Sequence, residues 1–151
     1  MPKLLINRVD QQVTASVRAF MQNGLEAHPL ACECVVPLDL DTQGYQWIAD
    51  LDQFAHVLLT SPTAAEHFDR VVSNRWVQWP IGVQLWAVGA GTAAAYRGDG
   101  PQPRYVPDAV GAEAAMAAIE ACRQPHDRVL VVTGAEGGQA VLGRPGADRL
   151  V

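Results

Sequence analysis

A short apolar run that turns directly into a capped helix is the feature that most restricts the fold of this chain. Residues 57–59 are apolar and of strand length, and two hydroxyl residues and a proline follow at once. Ser61 is a favourable N-cap because its oxygen can accept from free N–H groups of the first helical turn. Pro62 suits the first helical position, where no hydrogen bond is lost. Residues 56–68 therefore predict a buried strand leading into a helix, with a hydroxyl at the positive end of the helix dipole.

This turn has two readings on its own. Capping alone is the commonest use of a serine before a helix. Free N–H groups beside a hydroxyl also form a generic site for carboxylate or phosphate. Whether Ser61 also binds an anion depends on which other residues the fold places beside it.

Strand and helix signals alternate along the rest of the chain. Strands are expected at residues 3–7, 25–36, 57–59, 85–88, 104–107 and 129–132. Helices are expected near residues 13–21, 47–51, 62–72 and 112–122, with an alanine-rich helix start after Thr92 and a last helix after Gly138. Short strands alternating with helices predict an α/β fold with a doubly wound parallel sheet.

Three strand-to-helix turns have the polar or glycine-rich chemistry of a binding site. They are residues 60–61, 89–92 and 133–138. Ligands of doubly wound sheets bind at the carboxyl ends of the strands, near a switch in strand order. We therefore expect these turns to gather along one edge of a sheet.

Composition excludes several classes of protein. The 151 residues are 49% hydrophobic and 18% charged, which favours a globular core. The net charge is −5 and no basic run occurs, so the sequence does not indicate a nucleic-acid partner. No apolar stretch is long enough to span a membrane, and no signal-peptide pattern follows Met1. We expect a cytoplasmic protein.

The cysteines and histidines do not form a metal motif. Cys32 and Cys34 share a face if their segment is a strand, and His28 lies nearby, but the spacing is not that of a zinc site. We expect reduced cysteines buried in the core, because free cysteine is often buried. The four histidines, at positions 28, 56, 67 and 126, show no metal-ligand spacing either.

A dinucleotide site is one alternative. Residues 89–94 match the pattern G-x-G-x-x-A after a strand, and Asp108 lies at about the distance of a ribose-binding acid. The pattern is not on the first strand, however, and prolines flank the segment before Asp108. The same glycines could simply permit a tight turn and close helix packing.

The ordered set of motifs resembles the uroporphyrinogen-III synthase family. The blocks are LLTSPTAAEHF at residues 58–68, AVGAGTA at residues 87–93 and VLVVTGAEGG at residues 129–138. The start of the chain is similar too, with a strand into Asn7-Arg8, a helix ending at Asn23-Gly24, and an extended segment before Pro37. Each block alone is loose, whereas their order and spacing are fairly specific.

This resemblance implies a cofactor-independent cytosolic enzyme of tetrapyrrole and heme biosynthesis, a hydro-lyase and cyclase. The family closes the linear tetrapyrrole hydroxymethylbilane to uroporphyrinogen III, with loss of water and inversion of the last pyrrole ring. Its members have two α/β domains with the octacarboxylate substrate between them. Residues 1–36 would be the opening βαβ piece of a first, incomplete domain, and residues 37–151 a nearly complete, flavodoxin-like second domain.

Three residues match substrate-binding positions of the family. Ser61 and Thr92 match hydroxyl positions that line the cleft, and Arg8 matches an arginine after the first strand. No catalytic acid or base is assigned. The other class that remains open is a domain that binds nucleotides or small anions, either a dinucleotide enzyme or a non-catalytic binding module.

The sequence also departs from the family pattern. Gln139 stands where an arginine is common, residues 143–146 break the last helix early, and the return part of the first domain has no counterpart. We therefore expect a truncated chain without synthase activity of its own. Unpaired strand edges of the opening piece would favour self-association.

Overall fold

The computed structural model describes residues 3–109, 111–139 and 141–151, with the backbone alone at residues 10 and 11. These residues form a mixed α/β structure with parallel sheets and five α-helices. The chain divides into two compact units, one up to Pro37 and the other Leu38–Val151.

The first unit is a single strand–helix–strand motif. Its elements are β1 (Lys3–Ile6), α1 (Asp10–Gln22) and β2 (Glu26–Pro29). The two strands pair in parallel, with Leu4 opposite Ala27. As the sequence predicts, α1 ends at Asn23 and the chain turns through Gly24 at φ 77°, a left-handed conformation that glycine adopts without a steric cost.

The segment after β2 differs from the expected long strand. Pairing stops just beyond Pro29, which has no N–H to donate, and residues 30–39 are exposed. Cys32 and Cys34 lie in this exposed segment and Cys122 is exposed as well, so the prediction of buried core cysteines is wrong. With the strand ended, the two neighbouring cysteines have no sheet face on which to pack.

The second unit is built on a four-stranded parallel sheet. Its elements are α2 (Thr42–Ala49), a 3₁₀ turn (Leu51–Gln53), β3 (His56–Leu59), α3 (Pro62–Arg75), β4 (Gln84–Ala87), α4 (Ala90–Ala95), α5 (Ala112–Cys122), β5 (Val129–Val132) and β6 (Ala147–Leu150). The strand order is β4-β3-β5-β6. The order reverses at β3, because the chain adds β4 on one side and β5 on the other.

Both faces of this sheet are buried. Alternate residues of a strand point to opposite faces, so Val57 and Leu59 pack with Phe68 of α3, whereas Leu58 packs with Met116 of α5. All four residues of β3 and of β5 are buried. Burying each large apolar side chain contributes about 1.5–3 kcal/mol, which explains why residues 57–59 and 129–132 are continuous apolar runs.

The expected strand at residues 104–107 is reduced to a single bridge. Arg104 pairs with Trp86 on the outer side of β4, and both of its backbone hydrogen bonds are 2.8 Å long. Pro103 and Pro107 lack N–H groups and cannot extend the ladder. The prediction of a strand there is therefore wrong beyond Arg104.

The region after β5 also differs from the prediction. The described residues between Thr133 and Gly146 form turns instead of a last helix. The chain then enters β6, a strand that the sequence analysis did not predict, with Asp148 opposite Leu130. Five glycines and a proline in residues 134–146 explain the missing helix, since both residue types disfavour helix interiors.

Candidate functional site

The structure brings the three predicted turns to one edge of the second unit. Leu59 of β3 is aligned with Ala87 of β4 and Val132 of β5, so these three strands end at the same level. Backbone hydrogen bonds of 3.1 Å extend the pairing by one residue on both sides of β3. The turns at residues 60–61, 89–92 and 133–138 therefore start side by side at the carboxyl edge.

Ser61 caps α3 as the sequence predicts. Its Oγ accepts from the Ala64 N–H at 3.0 Å, and Pro62 occupies the first helical turn. Thr60 is tied to the neighbouring strand, because its hydroxyl donates to the Val132 carbonyl at 2.9 Å. Ser61 is half-buried, so part of this residue is accessible at the edge of the sheet.

Thr92 lies in the short helix α4, which begins after Gly89. Its side chain is only 4% exposed, and α4 packs on α3. Tyr96 ends this helix and is buried, and that burial raises the pKa of its phenol to about 12. The structure therefore places Ser61 and Thr92 on two neighbouring helices that start from adjacent strands.

Two glycines let the third turn close over Thr133. A Cβ at Gly137 would lie 2.3 Å from the Thr133 Oγ1, and Gly138 has φ 78°. Thr133 is consequently 5% exposed, although it stands at the end of β5. The glycine-rich sequence here serves close packing of the turn on the strand end.

Arg8 lies in the first unit, after β1. It is exposed, and its Nη1 donates to the Ser16 hydroxyl of α1 at 3.0 Å. The other two predicted substrate-binding residues, Ser61 and Thr92, belong to the second unit.

Sequence reasoning missed Arg149 of β6. Its Nη2 donates to the carbonyls of Gly134 and Ala135 in the third turn, with a distance of 3.4 Å to Gly134. A sequence signal existed, because residues 147–151 combine apolar residues with a charged pair in a short run after a glycine. Without the strand assignment, nothing in that signal connects Arg149 to a turn about fifteen residues earlier.

A buried histidine lies at the opposite, amino-terminal end of the sheet. His56 is 3% exposed, and its Nδ1 accepts from the Trp86 indole N–H at 3.2 Å. The Asp127 carboxylate lies 3.7 Å from Nε2. Burial lowers the pKa of His56; Asp127 opposes this shift, while the nearby Arg123 and Arg104 add to it.

We expect this histidine to make the protein less stable in mild acid. In the unfolded chain His56 takes up a proton near pH 6.5, whereas in the folded chain its pKa is lower. The contribution of neutral His56 to stability is therefore fully present above pH 6.5, and it is lost as the pH falls toward the lowered pKa. His56→Asn retains an acceptor for Trp86 and cannot titrate, so its urea midpoint should fall less between pH 7.5 and 5.5. His126→Asn, at an exposed position, is the control. An equal acid loss in the parent and in His56→Asn would contradict the assignment.

Among the described residues, no three His, Cys, Asp or Glu side chains are grouped so as to hold a metal ion. In the same part of the chain, no helix has both the length and the apolar character required to cross a bilayer.

A parallel α/β unit with hydroxyl- and glycine-rich turns at its carboxyl edge belongs to the class of folds that bind small molecules there. The family model described as Uroporphyrinogen-III synthase HemD matches residues 15–144, most of the chain. The chain therefore belongs to the uroporphyrinogen-III synthase family, as its resemblance predicted, and this membership associates it with porphyrin biosynthesis. The matched segment includes Ser61 and Thr92 and does not include Arg8.

Proposed function

We propose that this chain binds the linear tetrapyrrole hydroxymethylbilane as its family's substrate for the ring closure that forms uroporphyrinogen III with loss of water and inversion of the last pyrrole, and that it gives little turnover by itself. The observation that supports this most is the alignment of three polar turns at one sheet edge, in a chain of this family. The proposed chemistry is that of a hydro-lyase that needs no cofactor, in the cytoplasm.

In this proposal, the second unit binds carboxylates of the substrate at its carboxyl edge. The start of α3 offers the partial positive charge of a helix N-terminus, and Ser61 offers a hydroxyl beside it. Thr92 supplies a second hydroxyl from the neighbouring helix. Arg8 is proposed as a separate substrate contact from the first unit. Such donors allow a chain with net charge −5 to bind a polyanion.

We also propose that each unit corresponds to one domain of the family. Helices on both faces and the strand order β4-β3-β5-β6 support a doubly wound, flavodoxin-like second domain at residues 37–151. Residues 1–36 are proposed as the opening piece of the family's first domain. The exposed Leu5 and Met21 in that piece support self-association.

Titration with uroporphyrin, a stable cyclic octacarboxylate, tests the binding site. We expect saturable quenching of its fluorescence when the protein is added, and reduced quenching when inorganic phosphate competes. Absence of saturable binding would overturn the proposal. Addition of NAD should leave the thermal midpoint unchanged, whereas a rise would support the dinucleotide alternative. That alternative needs an acid at the end of a strand, and Asp108 instead lies in a turn at φ 60°.

Turnover is tested separately from binding. The protein is supplied with hydroxymethylbilane, and the type I and type III products are separated. Gln139 and the turns after it depart from the family pattern, so we predict little type III product from this chain alone. Type III isomer clearly above the spontaneous type I background would refute that prediction and support the activity itself.

The hydroxyl of Thr92 has its own test. Thr92→Val preserves the shape of the side chain and removes the hydroxyl, so loss of a charge-assisted hydrogen bond should weaken uroporphyrin binding by about 1–3 kcal/mol. Thr42→Val, at the exposed start of α2, is the matched control. Equal affinities for the parent and Thr92→Val would remove Thr92 from the site.

A further inference from the structure

Arg149 connects the last strand to the third turn of the candidate site. Arg149 is aligned with Val131, and the Thr133 N–H donates to the Leu150 carbonyl at 2.9 Å, so β6 runs beside the end of β5. From this position the guanidinium reaches the carbonyls of Gly134 and Ala135. One side chain therefore holds two successive peptide groups of the turn.

Besides its packing on Thr133, the turn has few hydrogen bonds, and the Gly138 carbonyl at its end accepts from the Val141 and Leu142 N–H groups at 3.0 and 3.2 Å. No helix follows it in the described residues, and its internal hydrogen bond runs from the Gly137 N–H to the Gly134 carbonyl at 2.9 Å. Glycine-rich segments lose much conformational freedom when they become ordered. A charge-assisted hydrogen bond from Arg149 offsets part of this loss, since such bonds are roughly twice as strong as neutral ones.

Binding of the two carbonyls also fixes the direction of two N–H groups. In a trans peptide the C=O and the next N–H point in opposite directions. With the carbonyls of Gly134 and Ala135 turned toward Arg149, the N–H groups of Ala135 and Glu136 face away from it. These residues are exposed, and in the described part of the chain their N–H groups donate to no backbone acceptor. Successive N–H groups that face the same way form an anion-binding concavity.

The hydrogen bonding of Arg149 is concentrated in this contact. Its Nε is buried and has no hydrogen-bond partner among the described residues, which carries a desolvation cost. A lysine at this position would retain the positive charge and donors without that buried N–H. Comparison of arginine with lysine at this position therefore separates the contact with the two carbonyls, which we call the clamp, from the other properties of the guanidinium.

We propose that Arg149 is a positioning residue that holds the turn at residues 134–138 so that its N–H groups face a substrate carboxylate. This inference rests on the proposed function for the identity of the anion. The clamp itself is a property of the free protein, and it can be measured without any ligand.

The test compares Arg149→Met with Arg149→Lys and with Arg144→Met, which removes an arginine paired with Glu120 elsewhere on the surface. Hydrogen exchange of the Gly137 N–H, which donates to the Gly134 carbonyl, should become about tenfold faster in Arg149→Met, and the affinity for uroporphyrin should fall about tenfold. Arg149→Lys should keep most of the slow exchange and of the affinity of the parent protein, and Arg144→Met should change neither quantity. Gly138→Ala, strained at φ 78°, should loosen the turn while Arg149 is present, in case Arg149→Met does not fold.

Hydrogen exchange tests the clamp, and affinity for uroporphyrin tests the positioning role. Unchanged exchange of the Gly137 N–H in folded Arg149→Met overturns the clamp. Faster exchange with unchanged affinity overturns the positioning role, because the turn would then be irrelevant to the ligand. If the parent protein binds no uroporphyrin, the proposed function fails, whereas faster exchange in Arg149→Met still supports the clamp.

Discussion

Replacement of Ser61 by aspartate is expected to leave the stability of the protein nearly unchanged and to weaken uroporphyrin binding at least about tenfold. Aspartate is as good an N-cap as serine, and its charge is favourable at the start of a helix. The same charge repels a ligand carboxylate at this position, by about 4 kcal/mol at 4 Å for an effective dielectric constant of 20. Since salt screens this repulsion, the loss of affinity should shrink as ionic strength rises.

Ser61→Ala should show the opposite pattern, with a loss of stability and no added repulsion of the ligand. It removes the cap on the Ala64 N–H and should cost about 1 kcal/mol of unfolding free energy, while adding no charge. Its effect on affinity should not depend strongly on salt.

Ser73→Asp is the matched control for charge. It lies on the same helix, about 18 Å further along at 1.5 Å per residue, and is exposed. Equal losses of affinity in Ser61→Asp and Ser73→Asp would show that net charge, not the site, controls binding. A loss in Ser61→Ala as large as that in Ser61→Asp would point to the cap alone.

Local signals allowed the sequence to predict much of the second unit. The cap at Ser61 and the run at residues 57–59 depend on neighbouring residues, so the strand and α3 could both be placed. The same holds for α1 and the left-handed turn at Gly24. The alignment of the three turns followed from a general rule for parallel sheets, without any knowledge of contacts.

The rest depended on partners that are distant in sequence. Residues 147–150 form a strand by pairing with β5, because a four-residue run with two charged residues is only a weak strand signal by itself. Cys32 looked like a core residue because its neighbours are apolar, yet the strand that would have buried it ends at Pro29. Arg149 was missed for the same reason, because its role exists only once β6 lies beside the third turn.

The largest loss of stability is expected from Phe68→Ala. Phe68 is 2% exposed on the inner face of α3, and its ring meets the edge of Trp79 with 6.3 Å between centroids. Truncation of a buried phenylalanine leaves a cavity and costs about 3–5 kcal/mol. Because small domains have only about 5–15 kcal/mol in total, this single change should unfold an appreciable fraction of the protein.

Tyr45→Ala provides the control for Phe68→Ala, since it removes an aromatic side chain of similar size that is 58% exposed on α2 of the same unit. Urea unfolding followed by tryptophan fluorescence should show a change within about 0.5 kcal/mol for Tyr45→Ala. Phe68→Leu should fall between the two, because leucine fills most of the space. Phe68 belongs to the helix that Ser61 caps and packs from it on the sheet, so affinity for uroporphyrin should recover in Phe68→Ala when an osmolyte restores folding. A change below about 1 kcal/mol for Phe68→Ala would contradict the packing of Phe68 between α3 and the sheet.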